Sequence, residues 1–490
     1  MQHSVLLRRS AGFALALVLA GCTRSREGHP APAEQPRLPA LMAQVGTPDE
    51  IARWAVRECG GKGEAQVACY GAVLSQVLAP RGVRPAMETL ERMTALDSSV
   101  ARDGHIYAHG IGIAAYRNPE EVTKTFSECT PLHQSGCYHG VIQAYFADMQ
   151  AHGGGVTAQT VEAACKELTA DRWLLFQCAH GVGHGLTALY GHDLPKALTG
   201  CDLLPDGFQR EACYGGAFME NVVSVASPHH HAVTTALNQI AAGGGAASPS
   251  AEHSEHEHDE HAGMAGMEGM EGMAGMQPAP AAAPAAEHSE HEGHDMAGMA
   301  GMDHGEHAEH GAASAWKAVD PSDPLYPCTA VGERYQDACY SMQTSLMLHL
   351  NGGSFSGAAR ACLGAPEKER PTCFISLGRD ANSYSRGVHA EAARLCGSAD
   401  VRYRPWCHQG VVKNVIDVSS RAEDGLPYCA ELAAAPDKAR CYQAVGEELR
   451  FLTADAARRE ETCAKAEPAG VQACRWGARV PGATAPGQTD

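Results

Sequence analysis

Cys178-Ala-His-Gly-Val-Gly-His-Gly-Leu-Thr-Ala-Leu-Tyr190 joins a half-cystine, two histidines four residues apart and three glycines at the start of one apolar segment. Weaker copies recur along the chain. Tyr107-Ala-His-Gly-Ile-Gly-Ile-Ala-Ala-Tyr116 matches it with a tyrosine in the cysteine's place, and Cys137-Tyr-His-Gly-Val141 matches its opening. Cys69-Tyr-Gly-Ala-Val73 and Cys213-Tyr-Gly-Gly-Ala217 keep the cysteine and the small residues but lose the histidine. The stretch is one unit of a repeat, and a few units carry extra chemistry.

The N-terminus reads as an export signal. Arg8 and Arg9 precede an apolar run at 11–20 that is too short to span a bilayer and is followed by small residues. Leu19-Ala-Gly-Cys22 resembles the lipobox of bacterial lipoproteins. The resemblance implies cleavage before Cys22, acylation of that cysteine and attachment to a membrane of the cell envelope. Thr23, rather than an aspartate, follows it, which in such lipoproteins favours the outer membrane. No other run reaches 18 apolar residues, so the mature chain is expected to be soluble apart from its lipid. Residues 22–48 are rich in Pro, Ala and Arg and read as a disordered tether.

Nineteen cysteines in an exported chain point to disulfides. With Cys22 set aside, the others fall into nine local pairs. In the earlier part of the chain Cys59 pairs with Cys69, Cys129 with Cys137, Cys165 with Cys178, and Cys201 with Cys213. In the later part Cys328 pairs with Cys339, Cys362 with Cys373, Cys396 with Cys407, Cys429 with Cys441, and Cys463 with Cys474. Every pair is 8 to 13 residues apart, and no other scheme leaves such uniform loops, although spacing does not prove connectivity. A thiolate metal site would call for Cys-x-x-Cys spacing, which does not occur.

The second cysteine of each pair, with Tyr107 as an equivalent, marks positions 69, 107, 137, 178 and 213, then 339, 373, 407, 441 and 474. The later steps are 34, 34, 34 and 33 residues, the period of a stacked helix–loop–helix unit. The period is like that of tetratricopeptide repeats, but that family's Trp/Leu/Gly/Tyr signature is missing. The expected fold is all-α: about ten disulfide-stapled helix–loop–helix repeats forming an α-solenoid in two halves, residues 49–225 and 322–480. A disordered insert separates the halves, and a polar tail follows from 481 to 490. In one unit, 383–395 reads as the first helix, ending at Cys396. Cys407 opens the second helix, which runs to about Ser420 with Val411, Val415 and Val418 as its apolar stripe. A bridge across each turn closes a loop of about ten residues, worth roughly 2–3 kcal/mol. The small residue three places after most markers (Gly140, Gly181, Gly216, Gly410, Ala444 and Gly477) would let neighbouring second helices approach closely.

Residues 226–321 change composition completely. From 229 to 314 Gly, Ala, Met, His and Glu dominate, without lysine or arginine or any periodic apolar face, so disorder is expected. Fourteen acids here account for most of the net charge of −19. The repeats are left near neutral, with no basic patch for nucleic acid. Glu252-His-Ser-Glu-His-Glu-His recurs as Glu287-His-Ser-Glu-His-Glu-Gly, and each copy leads into Met-Ala-Gly-Met. Methionines recur every third residue at Met264, Met267, Met270, Met273 and Met276, then at Met296, Met299 and Met302. Histidines flank them at His253, His256, His258, His261, His288, His291, His294, His304, His307 and His310. Thioethers favour copper(I), and imidazoles suit copper(II), zinc and nickel. These tracts resemble the Met/His-rich segments of periplasmic copper-resistance proteins, which implies copper binding. A solubilising linker grown by slippage would explain the repetition but not the choice of oxidisable methionine. Zinc or nickel held by the histidines alone is the rival assignment.

The folded repeats carry histidines of their own. His105 and His109 are four apart, as are His180 and His184, so each pair shares a helix face. His109, His139 and His180 lie two residues after three consecutive markers. Packed helices stand about 8–10 Å apart, so these side chains can meet as a metal site. Tyr107, Tyr138, Glu220 and Asn221 are candidates to line it. Such histidines could equally fill space beside glycine. The later half, however, has Ser341, Ile375, Gln409, Gln443 and Trp476 in their place, which argues against a purely structural demand.

Three functions are compatible with this sequence. The first is a lipid-anchored envelope protein that binds copper. The second is an interaction scaffold with a protein partner on the solenoid surface. The third is a metal-dependent enzyme of the earlier repeats. No His-Glu-x-x-His motif, Ser/His/Asp set or phosphate loop supports the third.

Overall fold

The computed structural model describes residues 37–226, apart from residue 64, and residues 316–485. The expected signal, Cys22 and the His and Met residues expected as ligands in the insert therefore lie outside the described residues. Every regular element among the described residues is helical, and none is long and apolar enough to cross a membrane.

Most repeats pair a short helix with a longer one. The short helices include Val122–Glu128, Ala158–Cys165, Leu194–Cys201 and His389–Cys396. Capping side chains start several of them: Thr157 and Thr160 form a reciprocal box, and Asp193 accepts from the Lys196 amide. Helices this short are marginal alone. All nine expected disulfides are present. In the unit without a bridge, Tyr107 is buried edge-on against Tyr70 of the preceding unit's long helix, ring centroids 6.2 Å apart.

The marker cysteines do not open their helices, as expected of Cys407, but lie inside them. Cys373 and Cys407 follow the first residues of Arg370–Tyr384 and Arg404–Ser419 by three places. Cys441 and Cys474 lie six places into Ala435–Leu452 and Pro468–Gly477. Each of these four helices has a proline in its first turn, at Pro371, Pro405, Pro436 and Pro468, where a missing N–H costs nothing. Helix therefore begins at that proline or one residue before it, rather than at the cysteine. Cys339 departs further: it belongs to a single turn, Gln336–Tyr340, set before Gln343–Leu350, and its partner Cys328 lies in the turns that precede any helix of that unit.

The long helices stack side by side, and their separation is set by glycine. A Cβ placed on Gly140 would overlap the carbonyl oxygen of His109, and one on Gly112 would overlap that of Cys137. The same reciprocal pair recurs as Gly183/Gly216, Gly378/Gly410 and Gly446/Gly477. The glycine three places after the marker is thus a close-approach residue, as expected. Its partner five places after the previous marker is a second one that the sequence did not single out. Gly181 is looser, facing the side chain of Ile142 and the Cα of His139 at 3.1 and 3.3 Å, and buried Ala444 accommodates a Cβ outright.

The unit at 383–420 differs from expectation in other details. Its first helix is His389–Cys396, because the preceding long helix runs on to Tyr384 and the chain reverses through Arg386 and Gly387, both at positive φ. The second helix ends at Ser419. Its buried face is Val411, Val412 and Ile416. Val415 is half-buried and Val418 is 45% exposed. A helix with neighbours on both flanks buries a wider arc than the single stripe of a surface helix. Within the stretch expected as tether, Ala40–Val45 form a short helix, and buried Leu38 donates its amide to Gln76 at 2.9 Å.

The repeats on either side of 227–315 stack directly on each other. Asp202 accepts hydrogen bonds from Tyr214 (2.6 Å) and Tyr335 (2.7 Å) and pairs with Arg334 at 3.0 Å. Asn221 donates to the Ala318 carbonyl and accepts from the Trp316 indole. The chain thus leaves one continuous stack at Ala226 and rejoins it at Trp316. The stack also curls: Phe451, on Ala435–Leu452, meets Phe176 on Arg172–Leu189, ring centroids 5.1 Å apart.

Candidate metal centre

The glycine contacts above hold four long helices at one register. These are Gly104–Ala115, Gly136–Ala151, Arg172–Leu189 and Gly207–Ala226. Side chains two places after the markers then fall beside one another, and His109, His139 and His180 do so. The i,i+4 partners His105 and His184 lie on the same face and complete a group of five imidazoles. His109, His139, His180, His184 and Glu220 are between 1% and 7% exposed, and His105 is half-buried.

His139, His180 and His184 form the tightest set. Their centroids are 4.8 Å (139–180), 5.0 Å (139–184) and 5.1 Å (180–184) apart, and one ring nitrogen of each lies within 4.8 Å of the other two. Two imidazoles on one tetrahedral ion, with bonds of about 2.0 Å, have centroids about 5.1 Å apart and nitrogens about 3.3 Å apart. The rings are therefore at coordination spacing, and rotation about their own side-chain bonds closes the nitrogens without moving a helix.

Hydrogen bonds select the tautomers. His184 Nδ1–H donates to the Glu220 carboxylate at 2.8 Å, and Nε2, which then carries the lone pair, has no partner. His139 Nε2–H donates to Gln177 Oε1 at 3.2 Å, leaving Nδ1 without one. The Ala212 carbonyl supports the His180 ring, whose Nδ1 is also unpartnered. Buried polar atoms are rarely left unsatisfied. Here three are, and a carboxylate–histidine pair of this kind is how proteins orient a metal-bound imidazole. Burial, then the charge of neighbouring imidazoles, holds His139 and His180 well below the usual histidine range, so both are neutral at pH 7. Neutral imidazole is the metal-binding form.

The other candidates separate. Glu220 belongs to the site through His184. Tyr107 faces Tyr70, and Tyr138 packs between Phe126 and Trp173 with its hydroxyl on the Cys129 carbonyl. Asn221 anchors Trp316 and Ala318 instead. Three participants had not been picked out: Gln177 on His139, the His133 carbonyl on His105 Nδ1 (2.9 Å), and Phe176 stacked on His180 (5.8 Å). None carries a local signal, because each reaches the site by folding.

Comparison with known protein families, curated proteins and solved structures finds no match to this chain.

One pH dependence follows. His139 and His180 are depressed chiefly by burial, and burial alone takes His133 down to about 4. Below the unfolded value near 6.5 the unfolded chain takes up protons that the fold refuses. Their contribution is complete above about pH 6.5 and declines on acidification toward the folded values. Metal-free protein is expected to melt several degrees lower at pH 5 than at pH 7 in calorimetry. An unchanged or higher melting temperature at pH 5 would contradict neutral burial.

Proposed function

We propose that this protein binds a transition metal, copper in particular, at the triad of His139, His180 and His184 inside its earlier repeats. The observation that carries this reading is the set of three buried, unpartnered imidazole nitrogens on rings at coordination spacing. Imidazoles accept copper, zinc or nickel. The choice of copper rests on the sequence, whose 227–315 segment adds many thioethers as a second, softer set of ligands. The lipobox-like Leu19-Ala-Gly-Cys22 supports attachment to the cell envelope, where such a chain would meet extracellular metal. Three protein ligands leave one position of a tetrahedral ion open, so the centre can exchange its ion or take a small ligand.

The test compares full-length protein, protein in which 227–315 is replaced by a short Gly/Ser linker, and the latter with His180→Ala. Asn221 already holds both Trp316 and Ala318, so the stack does not need the long connection to close. The shortened protein is expected to retain copper(I) against a competing chelator, and His180→Ala to reduce its affinity at least 100-fold. Equal retention with and without His180 would rule out the triad. Retention only by the full-length chain would place all binding in the 227–315 segment. Zinc and nickel titrations of the same proteins decide the ion.

A further inference from the structure

We infer that Phe451, from the later repeats, positions His180 for the metal by holding Phe176 against its ring. This rests on the triad reading and deepens it: the later block buttresses a site whose ligands all belong to the earlier one. The three imidazoles are not held alike. Glu220 fixes His184 and Gln177 fixes His139, each buried side chain accepting a ring N–H. No side chain among the described residues hydrogen-bonds to His180, which is steadied by the Ala212 carbonyl and by Phe176. Phe176 lies one turn earlier on the same helix face and stacks on that ring, 27° from parallel with centroids 5.8 Å apart.

Phe176 is itself half-buried, and a ring at a helix surface changes rotamer unless a neighbour blocks it. Phe451 is that neighbour. Its ring meets Phe176 edge-on, at 90° and 5.1 Å. Phe208 closes the group, 6.1 Å from Phe176 and 6.2 Å from Phe451, and the Arg172 guanidinium covers Phe208 at 3.8 Å. Edge-to-face and tilted pairs at these distances attract beyond the area they bury, as does a guanidinium over a ring. Phe451 also arrives on a firm support. It is the penultimate residue of Ala435–Leu452, in which Leu449 is buried and a Cβ on Gly446 would overlap the Cys474 carbonyl oxygen.

The consequence for binding is preorganisation. The triad nitrogens, within 4.8 Å of one another, close on an ion by small rotations of their rings. A seated Phe176 leaves His180 those small rotations and excludes the rotamers that swing it away from His139 and His184. Less side-chain freedom is then lost when the ion binds, and the ion is held more tightly. The linkage runs both ways: an ion that favours the seated His180 also favours the seated Phe176 and Phe451, so metal draws the two blocks together. Phe451 tightens the site and does not create it, since every ligand and both tautomer-selecting side chains lie in the earlier repeats.

The test titrates full-length protein with copper(I) against a competing chelator. The triad's share is the copper lost in His180→Ala, so that binding by 227–315, common to every sample, drops out. Phe451→Ala is expected to weaken that share about tenfold, the scale of a lost aromatic pair with its packing. Phe176→Ala is expected to weaken it similarly, and the two together no further, because both remove the same buttress. Phe451→Tyr keeps the ring and is expected to bind as the wild type does. Wild-type affinity in Phe451→Ala would show that this ring does not act on the site. Losses that add in the double variant would show that it acts by general loosening of the fold, and either result overturns the inference. If His180→Ala loses copper while Phe451→Ala does not, only this inference fails. If His180→Ala loses none, the triad reading fails too. Should Phe176→Ala lose its helical circular dichroism, Phe451→Ala and Phe451→Tyr decide alone: any pattern other than weakening by the first and retention by the second overturns it.

Discussion

Reduction of the nine disulfides is expected to unfold both described segments of the stack and release any metal held in the cluster. The bridges close loops with sequence separations of 8 to 13. In the chain-entropy description each such loop is worth about 2–3 kcal/mol, on the order of 25 kcal/mol for the set. A whole domain is typically stable by only about 5–15 kcal/mol. The short helices cannot compensate: Val122–Glu128 has 7 residues, and Ala158–Cys165 and His389–Cys396 have 8 each, below the length at which isolated helices persist. Their buried faces are small: Val122, Thr125 and Phe126 in the first, Val161, Ala164 and Cys165 in the second, and Ala392 and Cys396 in the third. Far-UV circular dichroism and urea titration of oxidised and reduced protein would show it. Retention of the native helical signal and urea midpoint after complete reduction would mean that packing alone holds the repeats. A narrower form is Cys165→Ser/Cys178→Ser, which frees the start of the helix carrying His180 and His184 and is expected to abolish copper binding.

Gly140→Ala is expected to destabilise the earlier repeats by about 3 kcal/mol or more and to remove the metal as well. The new methyl would overlap the carbonyl oxygen of His109, a backbone atom that no side-chain rotation can move aside. The helices Gly104–Ala115 and Gly136–Ala151 must then separate. His105 and His109 are on one and His139 is on the other, so the cluster opens with them. Gly410→Ala meets the Ile375 carbonyl in the same way in the later repeats. It should cost similar stability and leave the metal bound, which separates loss of packing from loss of the site. Gly207→Ala, with open space around it, serves as the neutral control. If Gly140→Ala melts with the wild type, the close approach of these helices is not what sets their register.

Local features were legible and distant ones were not. The half-cystine pairing could be read because each bridge closes a loop of about a dozen residues, and the helical period because it repeats. Helix ends were less legible. Cys407, Cys441 and Cys474 recur at the repeat's period, yet the helices start at the prolines ahead of them or one residue before. The turn at Arg386 and Gly387 has no strong local signature, and Val418 lies on the helix yet outside its buried arc. The register of His109, His139 and His180 was visible as equal offsets from the markers, but equal offsets say only that they lie at the same height on their helices. Glu220 on His184, the His133 carbonyl on His105 and Phe451 over Phe176 depend on residues 28 to 275 positions away.

What the sequence by itself determined is the unit: two helices, a covalent clamp at their bend, a small residue where the next unit must come close, and a Met/His-rich segment between two blocks of units. What only the tertiary structure decided is that five imidazoles from three units converge, that a carboxylate from a fourth orients one of them, and that the blocks join in one curled stack. The reason is physical. Clamp and helix arise from interactions within about a dozen residues, whereas a coordination site requires angstrom-level placement between helices, and that placement is set by backbone contacts at glycine that no single unit contains.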